Sequence, residues 1–304
     1  MQPKLKHKSI KIKYVAAAAV IAAAVFGVVW HDAVLQIKQK LDLTPSYTEA
    51  QAYRLAVCCP EIGSGGCTLI HTDEANILID CGRERAQSNV CNMLDDLGIT
   101  VIDLAVLTHP DSDHIGNFEE VSQKYTIGQF VTCEYSHLNG GNNYCSLENA
   151  LQAKNVPISF VSAGDRFMIG DLTLDVIAPT KMYESSNDNS VAIRLTYGEF
   201  NALFMGDVSK KAEKDILAGG SDVSADLLYV PHHGSAGSSC EEFLKAAMPK
   251  YAVISAQESR YHPASQTISR LRDIGCEIYR TDISGDIYVC TNGTDDSINI
   301  ITSY

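Results

Sequence analysis

The chain has 304 residues, of which 45% are hydrophobic and 20% charged, with a formal net charge of −13. It can bury a sizeable core, and the acidic balance excludes a general electrostatic grip on duplex nucleic acid. Ten cysteines are scattered without CxxC pairs, which excludes a zinc ribbon, and the absence of a 20 to 50 residue repeat excludes a solenoid.

In chain order, Lys4, Lys6, Lys8, Lys11 and Lys13 form a basic tail (1–13) before residues 14–30, seventeen residues without a charge. As a helix this span is about 25 Å long, slightly short for a hydrocarbon core of about 30 Å, with the lysines and Trp30 able to sit at the interfaces. The lysines are expected to stay cytoplasmic, which makes the chain a single-pass protein of the cell membrane and places residues 31–304 outside. A cleaved signal peptide followed by secretion is the alternative, although no A-x-A site follows the apolar run. Residues 31–50, with Thr44-Pro45-Ser46, read as a spacer, and residues 51–304 as the catalytic domain.

Within that domain, 53–57, 67–71 and 76–80 are predicted as strands, 89–97 as an amphipathic helix, 101–108 as a strand, 115–125 as a helix, 129–133 as a strand and 147–154 as a helix. Residues 158–161, 166–169, 172–177, 191–197 and 202–205 follow as successive antiparallel strands turned at Gly164, Gly170 and Gly198. Helices are predicted at 209–217, 240–247 and 264–274, with strands at 227–230 and 251–255. Outside the cell, Cys58, Cys59, Cys67, Cys81 and Cys91 lie near enough for local disulfides, and Cys133 could pair with Cys145 across a loop. The alternative for each is an ordinary small buried side chain.

The chemistry concentrates at strand ends. His109, Asp111, Asp113 and His114 crowd into six residues after the strand at 101–108, a density that outlines a metal site. Gly206-Asp207 ends a second apolar run and Pro231-His232-His233-Gly234-Ser235 a third. Strand ends at one sheet edge lie side by side, so these segments can converge on one pocket. Lys181, Arg194, Arg260 and Arg280 are the cations considered for local contact with a polyanion, but they are scattered and read as solvated.

These motifs resemble the metallo-β-lactamase-fold hydrolases, and within them the hydrolase domain of the ComEC type and its free-standing relatives. Their HxDxDHxG motif is spelled by His109, Asp111, Asp113, His114 and Gly116. Residues 78–82 look like the early strand ending in Asp-x-Gly, which puts Asp80 beside the site in a structural role. Residues 187–190 look like the Asn-rich step, 204–207 the Gly-Asp strand, 231–235 the HHGS element, 261–263 the late His-Pro, and Thr281, Asp282 and 285–287 the closing motif. The likeness covers about residues 53–303. Two departures stand out: the opening Gly-Gln-Gly-Asp turn reads Gly63-Ser64-Gly65-Gly66 before Cys67, and Asn117 replaces a second glycine.

The resemblance implies an α/β protein, a four-layer αβ/βα sandwich with its site at one edge, holding two divalent metal ions. His109 and Asp111 would serve the first metal, Asp113 and His114 the second, with Asp207 bridging and one of His232 and His233 completing the second site. Where a third histidine is common, this chain has Asn187, Asp188, Asn189 and Ser190, so Asn189 and Ser190 are candidate contacts to the first metal or to substrate. Oxygen-rich ligation favours Mn²⁺ or a mixed site, with Zn²⁺ as the alternative. Asp113 and Asp207 are the expected catalytic carboxylates, and Ser235 and His262 candidate phosphate contacts or proton donors. The implied activity is hydrolysis of a phosphodiester, with single-stranded DNA the candidate substrate and no protein partner expected. The alternatives are hydrolysis of another envelope ester (a phosphocholine ester, lactone or thioester) and a non-enzymatic anchored binding protein with a vestigial site. One membrane segment is too few for a whole DNA-uptake channel.

Overall fold

The computed structural model describes residues 47–257 and 262–304. The basic tail, the apolar span 14–30, most of the spacer, and Arg260 and Tyr261 lie outside the described residues. Among those described, no helix is long and apolar enough to cross a membrane.

The strands in chain order are β1 (Leu55–Cys59), β2 (Thr68–Thr72), β3 (Asn76–Ile79), β4 (Val101–Val106), β5 (Thr126–Thr132), β6 (Ile158–Phe160), β7 (Arg166–Ile169), β8 (Leu172–Ala178), β9 (Ala192–Tyr197), β10 (Phe200–Phe204), β11 (Leu227–Tyr229), β12 (Tyr251–Ile254), β13 (Glu277–Arg280), β14 (Ile287–Thr291) and β15 (Asn299–Thr302). They form two sheets, ordered β15-β14-β1-β2-β3-β4-β5-β6 and β13-β12-β11-β10-β9-β8-β7. The helices are α1 (Tyr47–Ala50), α2 (Gln87–Asp96), α3 (Ser112–Ile115), α4 (Phe118–Lys124), α5 (Glu134–Asn139), α6 (Gly141–Ala153), α7 (Lys210–Ala218), α8 (Glu241–Ala247), α9 (Ser265–Asp273) and α10 (Thr281–Ser284).

Alternation along the strands builds the layers, because successive side chains point to opposite faces. On β1, Leu55, Val57 and Cys59 enter the core between the sheets, while Ala56 and Cys58 join Val90, Leu94, Phe118 and Leu151 under the first helical layer. On β10, Ala202 and Phe204 face the inter-sheet core, while Leu203 packs with Ile216, Phe243 and Leu271 of the second helical layer. Two sheets between two helical layers are thus dictated by strands apolar on both faces. The parallel ladders β3-β4-β5 and β10-β11-β12 run in register, so the ends of β3, β4, β10 and β11 are available to carry one site.

Several expectations change. The run 158–205 is not one antiparallel series: β6 pairs in parallel with β5 in the first sheet, and the meander is β7 to β10 in the second. The helix α6 between β5 and β6 explains this, since a helical crossover returns the chain parallel. The predicted helix 115–125 is two, α3 and α4. At the break, Asn117 donates its amide to Cys81 O and Arg83 O at 2.6 Å each. Gly116 lies so close to the 82–84 backbone that a Cβ there would stand 2.5 Å from Glu84 N. β13, β14, β15 and α5 had no strong periodic signal and were not expected. The disulfide expectation is also corrected: all ten cysteines are free, nine of them buried and Cys145 exposed. Cys133 packs against Ser136, and burial pushes Cys59 and Cys290 up to about 12, the state of inert core thiols.

Candidate metal centre

The centre is built from the strand ends upward. After β3 the chain turns through Asp80 at φ 57°, a left-handed conformation that non-glycine residues seldom adopt. Its buried carboxylate accepts from Thr108 N at 2.8 Å, Thr108 Oγ1 at 2.8 Å and His114 Nδ1 at 2.7 Å. The imidazole of His114 therefore carries its proton on Nδ1 and turns the Nε2 lone pair inward. His109 reaches the same state by another route. Thr108 spends its hydroxyl proton on Asp80 and Ser190 spends its own on Asn187 O, so His109 Nδ1, at 3.0 Å and 3.3 Å from those two oxygens, is the donor.

Asp207 is the point of convergence. Its backbone N–H donates to Ser190 Oγ at 3.0 Å, and its carboxylate stands 3.3 Å from His114 Nε2, 3.9 Å from His109 Nε2, 3.8 Å from His233 Nε2 and 3.9 Å from His232 Nε2. Burial would raise its pKa, but His114, His233 and His109 outweigh burial and hold it well below the usual carboxylate range. Burial works against a charged His114 too, yet without metal Asp207 and Asp80 push its pKa well above that of a free imidazole, so a metal ion would have to displace the Nε2 proton to use that lone pair. Asp111 Oδ2 lies 3.6 Å from His109 Nε2, and its Oδ1 accepts from Ser186 Oγ at 2.7 Å. His109 first, then burial working the other way and Ser186 assisting, set Asp111 at about 2. Asp113 Oδ2 lies 3.7 Å from His233 Nε2 and accepts from Arg83 Nη2 at 2.9 Å.

His232 and His233 both hold φ 52°, followed by Gly234 at φ 78°. Two non-glycine residues in succession there are strained, and the strain is tolerated where packing dictates it. A Cβ on Gly234 would stand 2.7 Å from Pro263 Cβ, so the segment after β11 is pressed against the 262–263 turn. The ring of His262 stands 5.6 Å from that of His232. Burial, chiefly, sets His233 at about 4.

The donor set fits divalent metal. His109 Nε2, His114 Nε2 and His233 Nε2 are buried with no hydrogen-bond partner. Two groups, His109–His114–Asp207 and Asp113–His114–His233, each bring their ligand atoms within 4.8 Å of one another. Ligands about 2.0–2.2 Å from one cation at tetrahedral angles lie about 3.4 Å apart, near the spacings of 3.3 to 3.9 Å found here and beyond good hydrogen bonds.

The expected residues do not all meet there. His109, Asp111, Asp113, His114, Asp207, His232 and His233 do, with Asp80 behind them. Ser190 lies against His109 and Asp207. Asn189, a candidate contact to metal or substrate, has its amide donating to Tyr183 O and Ser185 O and accepting from Tyr183 N, closing its own loop. Ser235 Oγ accepts from Gly237 N in its own turn. Lys181, Arg194 and Arg280 are committed to Asp215, Asp222 and Asp282. The sequence reading missed Thr108, Ser186 and Arg83. Position was a signal for two of them, since Thr108 precedes His109 and Arg83 follows the Asp-x-Gly turn.

Residues 62–258 match the family model described as the metallo-beta-lactamase superfamily. The chain belongs to the metallo-β-lactamase superfamily. This superfamily is generally one of metal-dependent hydrolases, and its fold binds divalent metals, often two. The chain is 33% identical over 196 residues to ComE operon protein 3 of Bacillus subtilis (strain 168), covering 62% of this chain and 25% of that protein. It is 30% identical over 234 residues to competence protein ComA of Neisseria gonorrhoeae, covering 76% and 31% respectively. The metallo-β-lactamase chain thus spans about a quarter to a third of the length of these relatives. Among solved structures it is similar in fold to CmlA, a diiron beta-hydroxylase from Streptomyces venezuelae, with a TM-score of 0.54 at 12% identity over 78% of this chain and 54% of that one.

Proposed function

We propose that the chain is a metal-dependent phosphodiesterase whose substrate is a nucleic-acid strand, anchored by residues 14–30 with its catalytic domain outside the cytoplasm. One observation carries the reading of the site: three buried, unpartnered imidazole nitrogens and the carboxylates of Asp113 and Asp207 face one another at metal-ligand spacing. The likeness to competence proteins supports the choice of substrate. His109 and Asp111 would hold a first ion and Asp113, His114 and His233 a second, with Asp207, close to His109, His114 and His233, able to serve either. His233 is the ligand rather than His232, because the Asn187 amide donates toward His232 Nδ1 at 3.4 Å and so leaves its proton on Nε2. Three carboxylates in the set favour Mn²⁺, with Zn²⁺ accommodated by the imidazoles.

When bound, such a pair supplies positive charge at the phosphoryl oxygens and water of lowered pKa. Around it, Asp80 and Thr108 keep His114 and His109 in their ligating tautomers. Ser186 and Arg83 hold Asp111 and Asp113, while His262, its ring 5.6 Å from that of His232, is the candidate proton donor to a leaving group.

The test is metal analysis of the purified full chain, followed by assay on single-stranded DNA, duplex DNA and bis-p-nitrophenyl phosphate with Mn²⁺ and with Zn²⁺. Two metal equivalents and phosphodiester hydrolysis are expected. Two equivalents with cleavage of a phosphocholine ester, lactone or thioester instead would move the activity to an envelope ester. Failure to retain metal would leave an anchored binding protein.

A further inference from the structure

Four carboxylates, those of Asp80, Asp111, Asp113 and Asp207, stand in or directly behind the centre. Two divalent ions would balance them, and a phosphodiester arriving there would bring one further negative charge. Lys181, Arg194 and Arg280 are paired elsewhere, and Arg85 Nη2 donates to Gln257 at 3.0 Å. Among the described residues, the cation in contact with the centre is Arg83.

Its guanidinium is held in place without being used up. Nε donates to Ser64 O at 3.1 Å and Nη2 to Asp113 Oδ2 at 2.9 Å, while Nη1 makes no hydrogen bond among the described residues. The side chain is 38% exposed, against 18% for Asp113, so it stands at the solvent boundary of the centre. It also lines a groove of about 760 Å³ together with Ser112, which lies between Asp111 and Asp113 in sequence, Asn117, and Asn142 and Asn143 at the start of α6. Glu84, Glu119 and Glu120 line the same groove, and so does Arg85. The three carboxylates outnumber the two arginines, so the groove is no track for a long strand, and attraction to a phosphate is confined to the side of the centre that Arg83 touches.

We infer that Arg83 is the anion-contacting residue of the site, placing its free guanidinium donors on a non-bridging oxygen of the substrate phosphate while Asp113 and Ser64 hold it in position. An arginine suits this better than a lysine, since its planar fork serves Asp113 and a phosphate oxygen together. This rests on the phosphodiester reading and deepens it.

The test compares wild type, Arg83→Gln and Arg83→Lys as full-length metal-loaded protein, measuring inorganic phosphate binding by calorimetry, metal content by mass spectrometry, and KM and kcat on bis-p-nitrophenyl phosphate. Removing a charge-assisted contact is expected to weaken phosphate binding about 10- to 100-fold in Arg83→Gln, with metal content retained and a smaller loss in Arg83→Lys. Phosphate binding in Arg83→Gln equal to wild type overturns the inference. So does a loss of metal with unchanged phosphate affinity per loaded site, which would make Arg83 only a positioning residue for Asp113, and so does a wild type that binds no phosphate. A wild type that binds phosphate through Arg83 but hydrolyses no phosphodiester would instead refute the proposed reaction and leave the anion site standing.

Discussion

Alanine at position 66 would place a methyl group where the centre has no room for one. A Cβ there would stand 2.5 Å from His114 Nδ1 and 2.7 Å from Asp80 Oδ2, the two atoms joined by the 2.7 Å hydrogen bond behind the metal ligands. The backbone cannot retreat, because Gly66 N donates to Asp113 O at 2.9 Å and Gly66 O accepts from Gly82 N at 2.7 Å. His114 and Asp80 must therefore separate. Loss of such support to a ligating histidine costs about 10- to 100-fold in metal affinity, or about 1.4 to 2.8 kcal/mol. Breaking the buried pair in the metal-free protein costs up to about 3–5 kcal/mol more. The entropic gain of replacing glycine, about 0.4–1 kcal/mol, does not offset this. Gly219→Ala is the control, since Gly219 is exposed and right-handed, with its nearest neighbour atom at 3.4 Å. Urea denaturation with and without metal, together with metal titration, reads both quantities. A Gly66→Ala protein as stable and as metal-avid as Gly219→Ala would refute the steric argument and the support assigned to Asp80.

Asp207→Ala is expected to abolish hydrolysis and release metal, since Asp207 stands between both donor groups; activity above about 1% of wild type with full metal content would contradict the bridging position. Asp80→Asn keeps the volume but replaces a charged acceptor of three hydrogen bonds by an amide, and metal titration should show about a 10- to 100-fold loss of affinity. Chelation should lower the unfolding free energy of loaded protein by about 2.7 kcal/mol relative to metal present at 100 times its dissociation constant, and an unchanged thermal midpoint would show that no metal binds the native state. Glu213 is buried, accepts from Ser239 N at 2.5 Å and Cys240 N at 2.7 Å, and has its pKa raised by burial above the ordinary 4.5. A raised carboxyl pKa means the native state binds the proton more tightly, so this contribution to stability is full below pH 4.5 and falls as pH rises through the folded value. Relative to wild type, Glu213→Gln should therefore gain stability as pH rises across that window, and parallel stability profiles for the two proteins would disprove it.

The amino-acid order alone determined the strand-rich α/β plan, the acidic and imidazole groups at four strand ends, and the family they spell. Those features are local: apolar runs of four to eight residues bounded by turn formers report strands, and a ligand motif that follows a strand inherits its direction. Tertiary structure decided what local pattern cannot carry. β14 reached its place beside β1 through pairing with residues more than 200 positions away, and β15 then added to the sheet as its hairpin partner. The tautomers of His109 and His114 follow from donors spent on Asp80 and Asn187, and Asn189 was drawn into its own loop by Tyr183. Arg83 meets Asp113 and Ser186 meets Asp111 across 30 and 75 residues of chain, distances at which hydrogen bonds leave no periodic trace in a sequence.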